Sequence, residues 1–191
     1  MQISVQLYSV RDSFSADPAG TLRRLAEIGF TAVEPYRLLE NAQILRTLLA
    51  ENGLAAPSAH ASLMTQEDPA RVFAAAADLG VRTVVEPRWD AEKWTDERDI
   101  ERTAERLGEL ASIAAEHGVR VGYHNHDVEA RPVFDGRCGL EVLADHLDPG
   151  WCSSWTPSGR PSAAPTRPHC WTGSASASSS STSRTARCRV R

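Results

Sequence analysis

Val119-Arg120-Val121-Gly122-Tyr123-His124-Asn125-His126-Asp127 is the stretch on which the reading of this chain turns. Its first six residues have the β-branched and aromatic character of a strand, entered through Gly118. The run ends on two imidazoles, an amide and a carboxylate. Side chains alternate along a strand with period two, so the rings of His124 and His126 are expected on the same side. Before it lies a long charged helical pattern over residues 96–117, and after it a helix over residues 139–147.

The same strand-then-helix unit recurs upstream. Residues 3–9 read as a strand, after which Asp17-Pro18 opens a helix with Asp as the cap and Pro at its first position. Leu22, Leu25 and Ile28 form its apolar stripe, and Gly29 ends it. Residues 31–35 form a second strand, followed by a helix over 41–52 with Ile44, Leu45, Leu48 and Leu49 as its stripe. A third strand over 54–62 precedes Asp68-Pro69 and a helix to Gly80, and a fourth strand covers 81–87. Five βα units recurring at roughly 30 residues predict a parallel sheet, and their short apolar strands suit a sheet covered on both faces. A doubly wound sheet usually carries a glycine-rich phosphate loop after its first strand. Tyr8-Ser9-Val10-Arg11-Asp12 stands there instead, which favours a (β/α)8 barrel with its chemistry at the C-terminal strand ends.

Polar residues collect at those ends: Glu34 on strand two, His60 on strand three, Glu86 on strand four, and His124, Asn125 and His126 on strand five. Imidazoles and carboxylates together suit a divalent metal and proton transfer. Each has a structural alternative. Glu34 and Glu86 both precede proline and also read as solvated strand-end carboxylates, and His60 also reads as a hydrogen-bonded core histidine. Tyr8 and Tyr36 are candidate substrate contacts. Trp89 and Trp94 line a pocket or merely pack, while His117 and His146 lie near helix C-termini, where a cation complements the dipole.

Composition bounds the function class. The chain has 191 residues, 41% of them apolar and 24% charged, as in ordinary globular proteins. Without an apolar run of about 18 residues no membrane helix is expected. The N-terminus lacks a signal-peptide pattern, so the expected address is the cytoplasm. Cys138, Cys152, Cys170 and Cys188 are too few and scattered for a disulfide scaffold.

Glu34 in Val-Glu-Pro-Tyr, His60 in Ser-Ala-His-Ala-Ser, and residues 121–129, Val-Gly-Tyr-His-Asn-His-Asp-Val-Glu, resemble the sugar phosphate isomerase/epimerase family of xylose isomerase-like TIM barrels. The resemblance covers residues 1–150. It implies an α/β fold, here an incomplete (β/α)8 TIM barrel of about five βα units, and a divalent metal such as Mn²⁺, Mg²⁺ or Zn²⁺. It also implies isomerisation or epimerisation of a sugar or polyol derivative, with no membrane partner and none of nucleic acid. Members supply Glu, Asp, His and Glu from strands five to eight, and His124 stands where many have the strand-five Glu. On this likeness His124 and His126 would hold the metal. Glu34, His60 and Glu86 would be catalytic, and Tyr8, Tyr36 and Asn125 would contact substrate. Relatives of endonuclease IV and dehydratases share the barrel, so fold alone does not set the reaction.

Residues 151–191 are a different text. They contain no Asp, Glu, Lys, Leu, Ile, Met, Phe or Tyr, but 11 Ser, 5 Thr and 6 Arg. Residues 1–150 carry 15 basic and 25 acidic residues, a net of −10, against +6 in the tail. Such a segment cannot bury enough apolar surface to fold and reads as a disordered tail. The genetic code offers a second reading. In the neighbouring frame, Trp151–Cys152 must overlap as valine, Trp155–Thr156 as aspartate, and His169-Cys170-Trp171 as Leu-Leu. With GC-rich codons the run becomes Val-Val-Leu-Glu-Leu-Asp, and residues 180–186 become Phe-Leu-His-Val-Lys-Asp-Gly, the strand-six and strand-seven motifs that the resemblance implies. The tail is therefore expected to be frameshifted, and the chain as written to be truncated and inactive. The alternative class is a non-catalytic binding module with a basic tail.

Overall fold

The structure, a computed structural model, describes residues 3–147 and the backbone of Cys152–Ser154. It divides into two compact units, Met1–Pro87 with Glu109–Val121, and Arg88–Gly108 with Gly122–Arg191.

In the first unit, β1 (Val5–Gln6) pairs in parallel with β2 (Val33–Glu34), and β3 (Ser58–His60) with β4 (Thr83–Glu86). An Ala32–Ala55 bridge and the bond from His60 N–H to Pro35 O (2.7 Å) join β2 to β3. The Arg120 N–H, at the start of β5 (Arg120–His124), donates to Arg82 O. Successive strands are thus parallel neighbours in chain order, with no reversal among the described strands such as a doubly wound sheet requires. Helices α2 (Pro18–Ile28), α3 (Leu38–Glu51), α4 (Pro69–Asp78) and the last turns of α5 (Glu97–Glu116) carry the connections.

Local chemistry accounts for the helix ends. The Asp17 carboxylate accepts from Gly20 N–H at 2.9 Å, and Gly29 closes α2 at φ 103°, a backbone shape that a side chain would strain. Leu22 and Leu25 are buried, whereas Ile28 and Ile44, expected in the apolar stripes, are 59% and 42% exposed. Both stripes are therefore narrower than their leucine and isoleucine count.

The first strand is shorter than expected. Only Val5 and Gln6 pair; Leu7–Val10 turn as a 3-10 helix into α1 (Arg11–Ala16), which the sequence pattern did not announce. Burial of Leu7 and Phe14 outweighs the strand preference of residues 7–9, a tertiary effect on a weak local signal.

In the second unit, a 3-10 turn (Ala91–Trp94) buries Trp94 completely, and the first turns of α5 add Ile100, Ala104 and Leu107 to the core. A hairpin of β6 (Val133–Phe134) and β7 (Arg137–Cys138) follows β5, its turn made by Asp135 and Gly136 at φ 48° and 82°. That hairpin was not expected, although Asp-Gly between short strands is the usual sign of such a turn. Helix α6 (Gly139–His146) comes next, with the Glu141 side chain accepting from Cys138 N–H. The backbone of Cys152–Ser154 forms β8, parallel to Gly122–His124. The tail expectations otherwise lie outside the described residues. No helix among the described residues is long and apolar enough to cross a membrane.

Candidate functional site

The first unit gathers Glu34 and His60 into one buried polar cluster with two residues that the sequence reading did not single out, Gln6 and Ser58. Gln6, Glu34 and His60 sit at the ends of β1, β2 and β3, and Ser58 is two residues before His60 on the same side of β3. His60 Nε2 stands 3.1 Å from Glu34 Oε1. Gln6 Nε2 donates to that same oxygen at 3.1 Å and lies 3.3 and 3.4 Å from the His60 ring nitrogens. Ser58 Oγ–H donates to Glu34 Oε2. Burial pushes the Glu34 carboxyl upward, but the His60 ring beside it, with Ser58 and Gln6, outweighs burial and holds it below the ordinary carboxylate range. Glu34 is therefore an ionised carboxylate that orients an imidazole.

Glu86 has another position. Its Oε2 accepts from Leu63 N–H at 2.6 Å and Met64 N–H at 2.9 Å, so a buried carboxylate ties the β3–α4 loop to the end of β4. Tyr8 and Tyr36 meet edge to face at 5.6 Å, with Arg11 over the Tyr8 ring and Phe14 against Tyr36. Tyr8 is 54% exposed and presents an aromatic face to solvent.

The second unit holds His124, Asn125 and His126. The two imidazole rings stand 5.0 Å apart at 86°, in agreement with the expectation that they share a side. Asn125 is buried, and its Nδ2 donates to His126 O at 3.0 Å. His126 Nδ1 is buried without a hydrogen-bond partner among the described residues. A buried ring nitrogen in that condition fits a ligand role, since polar atoms removed from water are otherwise paired. No group of three or more His, Cys, Asp or Glu side chains able to hold a metal ion is found among the described residues. Two imidazoles alone make an incomplete set for a divalent ion. Trp94, a candidate pocket residue, packs on Tyr123 with ring centres 5.8 Å apart and belongs to the core.

Against known proteins, residues 22–148 match the family model described as xylose isomerase-like TIM barrel. The chain belongs to that family. A sugar phosphate isomerase/epimerase from Parabacteroides distasonis superposes with TM-score 0.65 at 22% identity, over 81% of this chain and 64% of that one. A xylose isomerase-like TIM barrel protein from Mycobacterium smegmatis, in complex with magnesium, gives 0.58 at 18%, over 82% and 64%. A family 2 AP endonuclease from Brucella melitensis gives 0.57 at 15%, over 80% and 67%. At these identities the likeness concerns the fold, which is that of a TIM barrel, and the chain spans 64% of the length of the first two. No curated protein matches it in sequence.

Proposed function

We propose that this xylose isomerase-like chain carries part of the machinery of a metal-assisted sugar isomerase or epimerase, working by proton transfer at a carbon next to a carbonyl. The reading rests on one observation above the others: Glu34 and His60 in contact, buried at the ends of neighbouring parallel strands. In this reading His60 meets a substrate hydroxyl or carbonyl oxygen, and Glu34 acts through it by fixing the ring. Gln6 and Ser58 keep Glu34 in place, the Tyr8–Tyr36 pair is a candidate sugar contact of the first unit, and Asn125 is one of the second. Glu86 ties the loop at Leu63 and Met64 to the end of β4. His124 and His126 would contribute imidazole nitrogens to Mn²⁺, Mg²⁺ or Zn²⁺. An ion of that kind, when bound, would supply positive charge to the substrate oxygens. A carboxylate of the restored strands would take the proton from carbon and return it, to the neighbouring carbon for isomerisation or to the opposite face of the same carbon for epimerisation.

The reading also takes residues 151–191 as out of frame, so that the chain as written is inactive and the ligands of later strands are found only in the restored text. A net of −10 over residues 1–150 repels nucleic-acid phosphates, which favours a sugar over the substrate of an endonuclease.

The nucleotide sequence across codons 145–191 is the first test, with Val-Val-Leu-Glu-Leu-Asp expected in the other frame; stops there overturn the frameshift. Both proteins are then incubated with Mn²⁺ and a panel of aldoses and ketoses in D₂O. Proton NMR should show deuterium entering carbon next to the carbonyl with the restored protein. The exchange should fall at least 100-fold in His60→Ala and be absent with the chain as written. A restored protein that holds metal and exchanges nothing overturns the proposed reaction.

A further inference from the structure

We infer that Glu129 is a positioning residue for the His124–His126 pair, an inference that rests on the proposed metal role of those rings. Glu129 is fully buried. Its Oε1 accepts from the Tyr123 hydroxyl at 2.9 Å and its Oε2 from His126 N–H at 2.7 Å. The two donors bracket His124 and Asn125, so one carboxylate closes a ring of contacts around the segment that leaves β5.

Both Glu129 oxygens accept a hydrogen bond, and one of the two bonds grips the backbone. The carbonyl on the other side of His126 accepts from Asn125 Nδ2, and the N–H groups of Ala130 and Arg131 both donate to Asp127 O. The main chain at His126 is thereby held on both sides, and its ring retains only its side-chain torsions.

Glu129 is anchored in turn. A Cβ on Gly139 would come within 2.7 Å of the Glu129 carbonyl oxygen, and Trp94 packs against both Gly139 and Tyr123. With each oxygen given to an internal donor, the carboxylate acts through the His126 backbone and not upon a ligand. Residues that orient metal ligands from behind typically change affinity 10- to 100-fold when removed.

The test uses the full chain with ¹⁵N- and ¹³C-labelled histidine. Without metal, the wild type should show a nuclear Overhauser contact between the two rings and a downfield His126 amide that exchanges slowly. Glu129→Ala should lose the ring contact and exchange that amide at least tenfold faster. Glu129→Gln, whose Oε1 still accepts from His126 N–H, should keep the ring contact with the amide shifted upfield. A folded Glu129→Ala with ring contact and amide unchanged overturns the inference. If Glu129→Ala does not fold by circular dichroism, an unchanged His126 amide in Glu129→Gln overturns it. The second readout is Co²⁺ titration of the frame-restored protein followed by visible absorption, where Glu129→Ala should bind at least tenfold more weakly than the restored wild type. Equal Co²⁺ affinity despite a lost ring contact overturns the metal-positioning role. A restored wild type that takes no Co²⁺ overturns the metal reading, while the NMR comparison still decides whether Glu129 orients the rings.

Discussion

Two polar groups occupy strand ends in this protein and differ in what they leave unsatisfied. The Gln6–Glu34–Ser58–His60 cluster closes on itself: both Glu34 oxygens have donors, and the carboxyl is held ionised. On β5 and just beyond it, the nearby carboxylate of Glu129 accepts from Tyr123 and the His126 backbone, and His126 Nδ1 has no hydrogen-bond partner among the described residues. In the proposed reading the first group handles protons and the second contributes nitrogens to an ion.

The sharpest way to break that contrast is stability. Glu34→Ala strands the Ser58 hydroxyl and the facing side of His60 in a buried place, and should cost about 3 kcal/mol in urea unfolding. His126→Ala removes an Nδ1 that has no partner among the described residues and should cost no more than about 1 kcal/mol. Equal costs would erase the distinction. Next in size is Gly139→Ala, whose new Cβ meets the Glu129 carbonyl oxygen at 2.7 Å and Trp94 at 3.3 Å. It should destabilise by about 1–3 kcal/mol, read from the same unfolding curves, and should disturb the His124–His126 rings while leaving Glu34 alone.

A smaller effect sharpens the closed side. Ser58→Ala deletes one of the bonds that hold the Glu34 carboxyl down, so its pKa should rise, as followed by ¹³C NMR of the carboxyl. Because the folded-state pKa is lowered, Glu34 stabilises the fold above the ordinary value of 4.5 and loses that contribution as pH falls through the lowered one. The variant should show a shallower loss of stability over that acid window; an unchanged slope would exclude Ser58 from the cluster's electrostatics. Tyr8→Ala should be the mildest, within about 0.5 kcal/mol in stability because the ring is largely exposed. A weakened sugar affinity in that variant, measured by calorimetry on the restored protein, would assign the ring to the ligand.

Much of this was legible in the chain. The order of strands and helices and the Asp17 cap follow from local pattern, because capping is a near-neighbour effect; the rings of His124 and His126 do meet, although β5 ends at His124. Other features were not. Val5 and Gln6 form a strand while Leu7 does not, since burial of Leu7 and Phe14 decides where the chain turns. Ile28 and Ile44 fit the apolar period but face solvent, because a helix covers only the width its neighbours offer. Glu86 and Glu34 read alike, each a glutamate before proline at a strand end, yet one ties a loop and the other faces a histidine.

The sequence by itself determined the βα alternation, the strand-end location of the reactive side chains and the change of text at residue 151, all properties of residue type and spacing along the chain. Only the tertiary structure decided what each carboxylate touches. Gln6 and Ser58 carry no local signal of their role, because a hydrogen-bond partner 28 or 24 residues away, as Glu34 is from each, is brought near by strand pairing alone.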